Sequence, residues 1–324
     1  MSKPAVLVTG GAGFIGSHCC KALAAAGRVP VVYDDLSRGH ADAVLWGPFV
    51  EGDLRDRDLL ARTLAAHEIG AVIHFAALAY VGESVGAPER YYDNNLCGMV
   101  SLLGAAEAAG IDKIVFSSSC ATYGVPDRLP ISEDLPQAPI NPYGRTKLAC
   151  EWMLRDAEVA HGLRFAALRY FNAAGADPAG EIGERHDPET HLIPLTLMAA
   201  SGQGGPLKIF GTDYPTPDGT CIRDYIHVDD LARAHLLALD HLEGGGGSLA
   251  LNLGTGQGAS VHQVVAAVER VTGRKVPVEL APRRPGDPAE LTADPSRAAE
   301  ELGFTARYRD LDEIVAHAAP WFGH

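Results

Sequence analysis

Short apolar runs alternate with longer amphipathic segments over the first half of the chain. The runs are rich in Val, Ile, Leu, Phe and Ala, as in strands buried on both faces, and lie at 5–9, 29–33, 49–52, 71–75, 113–116 and 164–170. The segments between them have helical spacing, at 17–26, 56–67, 88–109 and 142–161. This alternation predicts an α/β fold of the Rossmann type, a doubly wound parallel sheet with helices on both faces.

The pattern changes after residue 172. Residues 173–190 are rich in Gly, Pro, Asp and Glu and predict a loop. Beyond it the chain predicts helices at 192–201, 229–242 and 261–271 and strands at 207–210, 249–253 and 276–280. We therefore expect a dinucleotide-binding domain at 1–172, joined by segments near 223–255, and a smaller mixed α/β domain, mainly 173–324, that binds substrate.

A glycine-rich turn follows the first strand. Gly11, Gly13 and Gly16 satisfy the GxGxxG pattern between a strand and a helix, which favours a dinucleotide pyrophosphate at the helix N-terminus. Asp34 ends the second strand, 18 residues after Gly16, where a carboxylate binds ribose hydroxyls and repels a 2′-phosphate. NAD is therefore expected rather than NADP, although Arg38 nearby weakens that preference slightly.

A tyrosine and a lysine stand four residues apart at the start of the 142–161 helix. Tyr143 and Lys147 share one helix face, and an ammonium beside a phenol is expected to lower the phenol's pKa and make a base. Ligands of such sheets bind beyond the carboxyl ends of the strands. Residues at those ends are Asp34, Asp53, Phe75, Ala76 and Ser119.

Charge and cysteine content limit the partners. Net charge is -14, which argues against nucleic acid or an anionic membrane surface as partner. Within this acidic chain, Arg283 and Arg284 in a stiff Arg-Arg-Pro-Gly-Asp loop suit phosphate binding. No cysteine pair has zinc spacing, and with no signal-like segment or long apolar run we expect a cytoplasmic protein with reduced thiols. His186 and His191 could bind a metal, but solvated loop histidines are favoured and no metal is expected.

Together these motifs resemble the extended short-chain dehydrogenase/reductase family and, within it, the UDP-sugar 4-epimerases. The resemblance covers nearly the whole chain. The segments that match the family's motifs are residues 8–18, 33–37, 74–78, 81–84, 91–95, 116–119, 142–144, 169–172, 218–220, 223–228 and 284–287. The glycine motif and the Tyr/Lys pair indicate the superfamily, whereas Arg-Asp-Tyr-Ile-His-Val at 223–228 and Arg-Pro-Gly-Asp at 284–287 favour the epimerases.

The resemblance implies a role for each site residue. Tyr143 is the base, Lys147 lowers its pKa, and Ser119 hydrogen-bonds the sugar O4. The residues implied to bind NAD are Gly10, Gly13, Phe14, Ile15, Gly16, Asp34, Asp53, Leu54, Phe75, Ala76, Ala77, Asn94, Tyr143, Lys147 and Phe171. Those implied to bind the UDP-sugar are Ser119, Tyr143, Asn172, Leu192, Phe210, Arg223, Tyr225, Arg284, Asp287 and Leu291.

The implied activity is reversible C4 epimerisation of a UDP-hexose, UDP-glucose or UDP-galactose, through a 4-keto sugar with tightly bound NAD. A homodimer through 88–109 and 142–161 is also implied. Three departures from the family pattern bear on this. Ala79 replaces a lysine near the cofactor, His191 replaces an asparagine, and Leu291 bounds the sugar pocket with a side chain of intermediate size. UDP-N-acetylhexosamines and UDP-xylose/arabinose therefore remain alternative substrates.

Two other functions predict different residues. Dehydratases of this fold place an Asp-Glu pair after the Ser/Thr that follows the strand, but this chain has Cys120 and Ala121 there. A non-catalytic NAD-binding regulator predicts loss of the Tyr143/Lys147 pair, and both residues are present.

Overall fold

A computed structural model describes residues 3–284 and 287–324. Pro285 and Gly286 of the Arg-Arg-Pro-Gly-Asp loop lie outside the described residues. Within the described ranges, none of the helices combines the length and the apolar character needed to cross a membrane.

The first half of the chain alternates strand and helix as predicted. Its elements are β1 (Ala5–Thr9), α1 (Phe14–Ala25), β2 (Pro30–Asp34), β3 (Phe49–Glu51), α2 (Arg57–Ala66), β4 (Ile69–His74), α3 (Val81–Gly86), α4 (Pro88–Tyr91), α5 (Gly98–Ala108), β5 (Lys113–Ser119), α6 (Pro142–His161) and β6 (Arg164–Tyr170).

The second half has shorter strands. Its elements are β7 (Asn172–Ala174), α7 (Leu192–Ser201), β8 (Leu207–Phe210), β9 (Ile222–His227), α8 (Val228–Glu243), β10 (Leu249–Leu253), β11 (Gly258–Ser260), α9 (Val261–Thr272), β12 (Val278–Ala281), β13 (Glu290–Leu291), α10 (Ser296–Leu302) and α11 (Leu311–Ala318).

Seven strands form one parallel sheet in the order β10-β6-β5-β4-β1-β2-β3. Apolar layers cover both of its faces, one shared by α1 and α8 and the other by α2, α5 and α6. The predicted Rossmann-type fold is thereby confirmed. The strand order reverses between β1 and β4, because β2 and β3 extend the sheet on one side of β1 and the later strands extend it on the other, and this opens a crevice at the carboxyl ends of β1 and β4.

The remaining strands make two small sheets beside this edge. One contains β7, β9, β11 and β13, and the other pairs β8 with β12. They pack with α7, α9 and α11 around a separate apolar cluster. β10 comes late in the chain but pairs with β6 in the main sheet, and α8 packs against α1. The domain bounds 1–172 and 173–324 stay a prediction.

The predicted helix at 88–109 differs from the structure. It is interrupted by a π-helical turn, Tyr92–Cys97, between α4 and α5. The cause lies at Asn95, whose buried amide donates to Leu78 O at 3.1 Å and to Thr146 Oγ1 at 2.9 Å. Such turns widen a helix locally, and here the widening directs a polar side chain inward. Helices α3, α10 and α11 were not predicted, because their short apolar spacing is weak in the sequence.

Candidate active site

One cavity of about 1460 Å³ lies at the carboxyl edge of the main sheet and extends toward the small sheets. All residues that the family resemblance implies for NAD or the UDP-sugar line it. They are Gly10, Gly13, Phe14, Ile15, Gly16, Asp34, Asp53, Leu54, Phe75, Ala76, Ala77, Asn94, Ser119, Tyr143, Lys147, Phe171, Asn172, Leu192, Phe210, Arg223, Tyr225, Arg284, Asp287 and Leu291. The structure thus brings the predicted residues together, and their individual roles stay predictions.

The glycine turn leaves no room for side chains. Gly10 has φ +71°, and a Cβ there would lie 2.6 Å from Ala76 N. A Cβ on Gly16 would lie 2.2 Å from Gly10 O. Helix α1 begins directly after Gly13 with neither a side-chain cap nor an acidic residue in its first turn. Its first N–H groups are therefore suited to a pyrophosphate, and this end of the cavity fits a dinucleotide.

Asp34 fixes the turn and supplies the negative charge expected for NAD. Its carboxylate accepts Ala12 N–H at 3.0 Å and Leu36 N–H at 2.9 Å. Arg38, which was expected to weaken the preference for NAD, donates to Asp187 O at 2.6 Å and to Glu83 at 3.2 Å. These bonds occupy the guanidinium, so its effect on the Asp34 carboxylate is reduced.

Helix α6 presents Tyr143 and Lys147 to the cavity. Asn141 caps the helix by accepting Gly144 N–H at 2.8 Å, and Pro142 occupies the first turn, where its missing N–H costs nothing. Tyr143 is 9% exposed and Lys147 is 3% exposed. Lys147 Nζ donates to Ser117 O at 2.7 Å. The predicted shared face of the pair is therefore present, and the lysine is tied to the end of β5.

Burial opposes the low pKa expected for Tyr143. It raises the pKa of Tyr143 above its usual value, Tyr170 adds to this, and the Ser119 hydroxyl opposes it. Burial also lowers the pKa of Lys147 to about 8, and its ammonium lies 5.9 Å from the centre of the Tyr143 ring. The effect of Lys147 on the pKa of Tyr143 stays a prediction, and further positive charge bound near Tyr143 would favour its phenolate.

A buried ion pair behind Ser119 was missed by sequence reasoning. Glu151 is fully buried and accepts Arg169 Nε at 2.8 Å, Arg169 Nη2 at 2.6 Å and Ser118 Oγ at 2.6 Å. Arg169 Nη1 also donates to Tyr123 OH at 2.7 Å. The pair joins α6 to β6, and through Ser118, the residue before Ser119, it also joins both to β5. One indication was present, because Arg169 is a charge within an apolar strand and Glu151 lies one turn after Lys147.

Arginine side chains dominate the far end of the cavity. Arg223 on β9 donates to the Asp287 carboxylate and, at 2.9 Å, to Pro288 O. The guanidinium of Arg284 stacks on Phe210, 4.0 Å from the ring centre. The prediction that both loop arginines suit phosphate is corrected for Arg283, which donates to Asp213 at 2.6 Å and does not line the cavity.

His186 and His191 are not the two separate loop histidines that the sequence favoured, although 39% of the His191 side chain is exposed. Their Nδ1 atoms face two buried carboxylates, Glu184 and Glu189, and the two rings lie 4.7 Å apart. All four side chains line the cavity beside Tyr80. The sequence analysis identified the two histidines but not Glu184 and Glu189, each of which lies two residues before one of them.

Residues 6–254 match the model of the NAD dependent epimerase/dehydratase family. The chain is 54% identical to the UDP-glucose 4-epimerase of Rhizobium meliloti (strain 1021), over 99% of this chain and 98% of that protein. It is 55% identical to the UDP-glucose 4-epimerase of Azospirillum brasilense, over 99% and 92%.

Solved structures are similar along the whole chain. The UDP-glucose 4-epimerase from Brucella ovis in complex with NAD has a TM-score of 0.97 and 61% identity, with 99% of both chains covered. The UDP-glucose 4-epimerase from Bifidobacterium longum in complex with NAD+ and UDP has a TM-score of 0.93 and 40% identity, with 98% of this chain and 97% of that one covered.

Proposed function

Because the chain belongs to the NAD-dependent epimerase/dehydratase family, we propose that it catalyses the reversible C4 epimerisation of UDP-glucose and UDP-galactose. It is an NAD-dependent enzyme, as its relatives are. The observation that carries the proposal is a single cavity with a dinucleotide turn, the Ser119/Tyr143/Lys147 set and an arginine-rich far end. When bound, NAD⁺ supplies a hydride acceptor for the sugar C4 and a positive charge on the nicotinamide ring.

Tyr143 is proposed to take the proton from the sugar O4. Its burial makes the neutral phenol the resting form, and a cationic ring beside it would favour the phenolate. Lys147 holds the position of its ammonium through Ser117 O and supports the same charge. Ser119 ends β5 and lines the same cavity, and we propose that its hydroxyl hydrogen-bonds O4 and relays its proton.

Arg223 and Arg284 are proposed to hold the UDP diphosphate. Two guanidiniums at one end of a cavity suit two phosphates, and Phe210, Leu192, Tyr225 and Asn172 line the same part of the cavity. A firm grip on the nucleotide leaves the sugar free to turn and present its other face. Such binding positions C4 without selecting one configuration.

Cys120 and Ala121 count against elimination chemistry at this site. They follow Ser119, at the positions where a dehydratase needs an acid. Burial raises the pKa of the Cys120 thiol to about 12, so it cannot replace a carboxyl group. Epimerisation, which needs one group to exchange a proton with O4, is the better fit.

Purified protein with UDP-galactose tests this proposal. We expect UDP-glucose to accumulate without added NAD and without release of NADH, because the hydride returns to the same carbon. UDP-GalNAc and UDP-xylose, assayed in parallel, test how broadly Leu291 lets the pocket accept sugars. No UDP-glucose, or NADH released in proportion to substrate, would overturn the proposal.

We also infer a homodimer through α5 and α6. Val100 on α5 and Trp152 and Val159 on α6 expose 47%, 55% and 89% of their surface. Apolar residues exposed on adjacent helices favour a protein contact. Sedimentation velocity distinguishes one chain from two. The cytoplasmic location stays a prediction.

A further inference from the structure

Two histidines and two glutamates converge in the segment between β7 and α7. One donor atom from each of Glu184, His186, Glu189 and His191 lies within 4.8 Å of the other three. The side chains of Glu184 and Glu189 expose only 2% and 6% of their surface. Buried carboxylates are rare unless they are paired or bind a metal.

The distances between the carboxylate oxygens and the ring nitrogens are close to those between ligands of one small ion. Glu184 Oε1 lies 3.2 Å from His186 Nδ1 and 3.1 Å from His191 Nδ1. Glu189 Oε2 lies 3.4 Å from His186 Nδ1, and Glu189 Oε1 lies 2.8 Å from His191 Nδ1. Four ligands around zinc, with bonds of about 2.0–2.1 Å, are about 3.3 Å apart.

Backbone hydrogen bonds hold one of the two carboxylates. Glu189 Oε1 accepts the N–H of Thr190 at 2.7 Å and of His191 at 2.8 Å, and it lies 2.8 Å from His191 Nδ1. Ligating carboxylates are commonly held by hydrogen bonds of this kind.

We propose that Glu184, His186, Glu189 and His191 form a structural site for a divalent transition-metal ion, with zinc the best match. Imidazole nitrogen and carboxylate oxygen together suit zinc, and four protein ligands leave no open position for catalysis. The four proposed ligands line the same cavity as the epimerase residues, and the ion would act on the conformation of the loop that carries them.

The charge of the cluster also fits one divalent ion. The buried carboxylates of Glu184 and Glu189 carry two negative charges, and the rings of His186 and His191 lie 4.7 Å apart. One divalent ion bound by all four side chains would neutralise both carboxylates.

The site would hold a long loop against both ends of the cavity. The loop is tied to the cofactor side by Lys21–Asp177 at 2.7 Å and Arg185–Asp42 at 2.9 Å. Its other end enters α7 at Leu192, which lines the substrate side. An ion bound by His191 would fix the start of α7, where that histidine makes no capping hydrogen bond with its side chain.

Metal content of the full-length protein tests the proposal. The protein is purified without a histidine tag, treated with chelator, reloaded with zinc and separated from weakly bound metal by gel filtration. We expect about one zinc per chain by mass spectrometry, and intense visible absorption of a tetrahedral site when cobalt replaces zinc. Wild type without retained zinc, or with the weak spectrum of six-coordinate cobalt, would overturn the proposal.

Matched variants locate the ion. His191→Asn and Glu184→Gln should each weaken zinc binding roughly tenfold or more in competition with a chromophoric chelator. Asn suits the N-cap position, so the helix start is preserved in His191→Asn. Glu181→Gln in the same loop and His262→Ala elsewhere are controls and should bind zinc like wild type. Equal losses in the controls and the ligand variants would contradict the assignment, and the cobalt spectrum of wild type stands whatever the variants' stability.

Discussion

The two ends of the cavity are built differently. At the sheet end, Ser119, Tyr143 and Lys147 lie on β5 and α6, and a buried hydrogen bond to Ser117 O holds the lysine. At the far end, Arg223 and Arg284 belong to a short strand and a loop, and Arg223 already has a carboxylate partner in Asp287.

This difference separates the part of the cavity that positions the base from the part that binds the diphosphate. The sheet end is held by buried bonds, because the Glu151–Arg169 pair joins α6 to β6 and the Asn95 amide joins α6 to Leu78. At the far end a guanidinium can exchange Asp287 for phosphate without repacking a core. Chemistry that must reach both faces of one carbon needs this combination of a fixed base and an adjustable anchor.

The largest effect should come from removing the base at the fixed end. Tyr143→Phe should lower kcat by a factor on the order of 10²–10⁴, since the phenol no longer exchanges a proton with O4. NAD content after purification should be unchanged, because the ring remains. Steady-state assays and the absorbance of released cofactor measure the two quantities. Tyr308→Phe, outside the cavity, is the control, and wild-type turnover in Tyr143→Phe would remove it as the base.

Two adjacent arginines at the far end test whether one side chain binds the diphosphate. Arg284→Ala should raise KM about 10–100-fold with a smaller change in kcat, because the lost guanidinium binds substrate and transition state alike. Arg283→Ala should change KM less than about twofold, since Arg283 is bound to Asp213 and stacks on Tyr214. Equal rises in both variants would mean that the loop, and not one side chain, holds the diphosphate.

A smaller effect is expected on the free energy of unfolding in acid, because of a buried histidine at the sheet end. His235 is buried against Phe75 with an unpartnered Nε2, and burial lowers its pKa to about 4. The unfolded chain therefore binds more protons below the ordinary histidine pKa of about 6.5, and stability falls as pH drops from there toward 4.

His235→Phe should remove this dependence. The difference in unfolding free energy between variant and wild type should shift in the variant's favour by about 2 kcal/mol between pH 7.5 and pH 5. Urea denaturation at the two pH values measures it, and His262→Ala, on the surface, should show no such shift. A constant difference across this range would mean that His235 has the same pKa in the folded and the unfolded protein.

The sequence predicts those parts of the site that depend on local pattern. The glycine turn, Asp34 and the Tyr143–Lys147 spacing follow from strand and helix periodicity, and the structure places them at one edge. Contacts between distant segments were not predictable in this way. The Glu151–Arg169 pair and the Glu184–His191 cluster depend on which side chains a strand or loop turns inward, and the π-helical turn at Asn95 replaces the regular helix that propensity favours.

The strand β10 has a consequence for synthesis of the protein on the ribosome. The edge of β6 stays unpaired, and the face of α1 stays uncovered, until residues 228–253 have been made. An open strand edge and an apolar helix face invite pairing with other chains. The nascent chain must therefore be protected over about eighty residues of translation after β6, and a fragment ending near residue 172 should aggregate even though it contains the glycine turn, Tyr143 and Lys147.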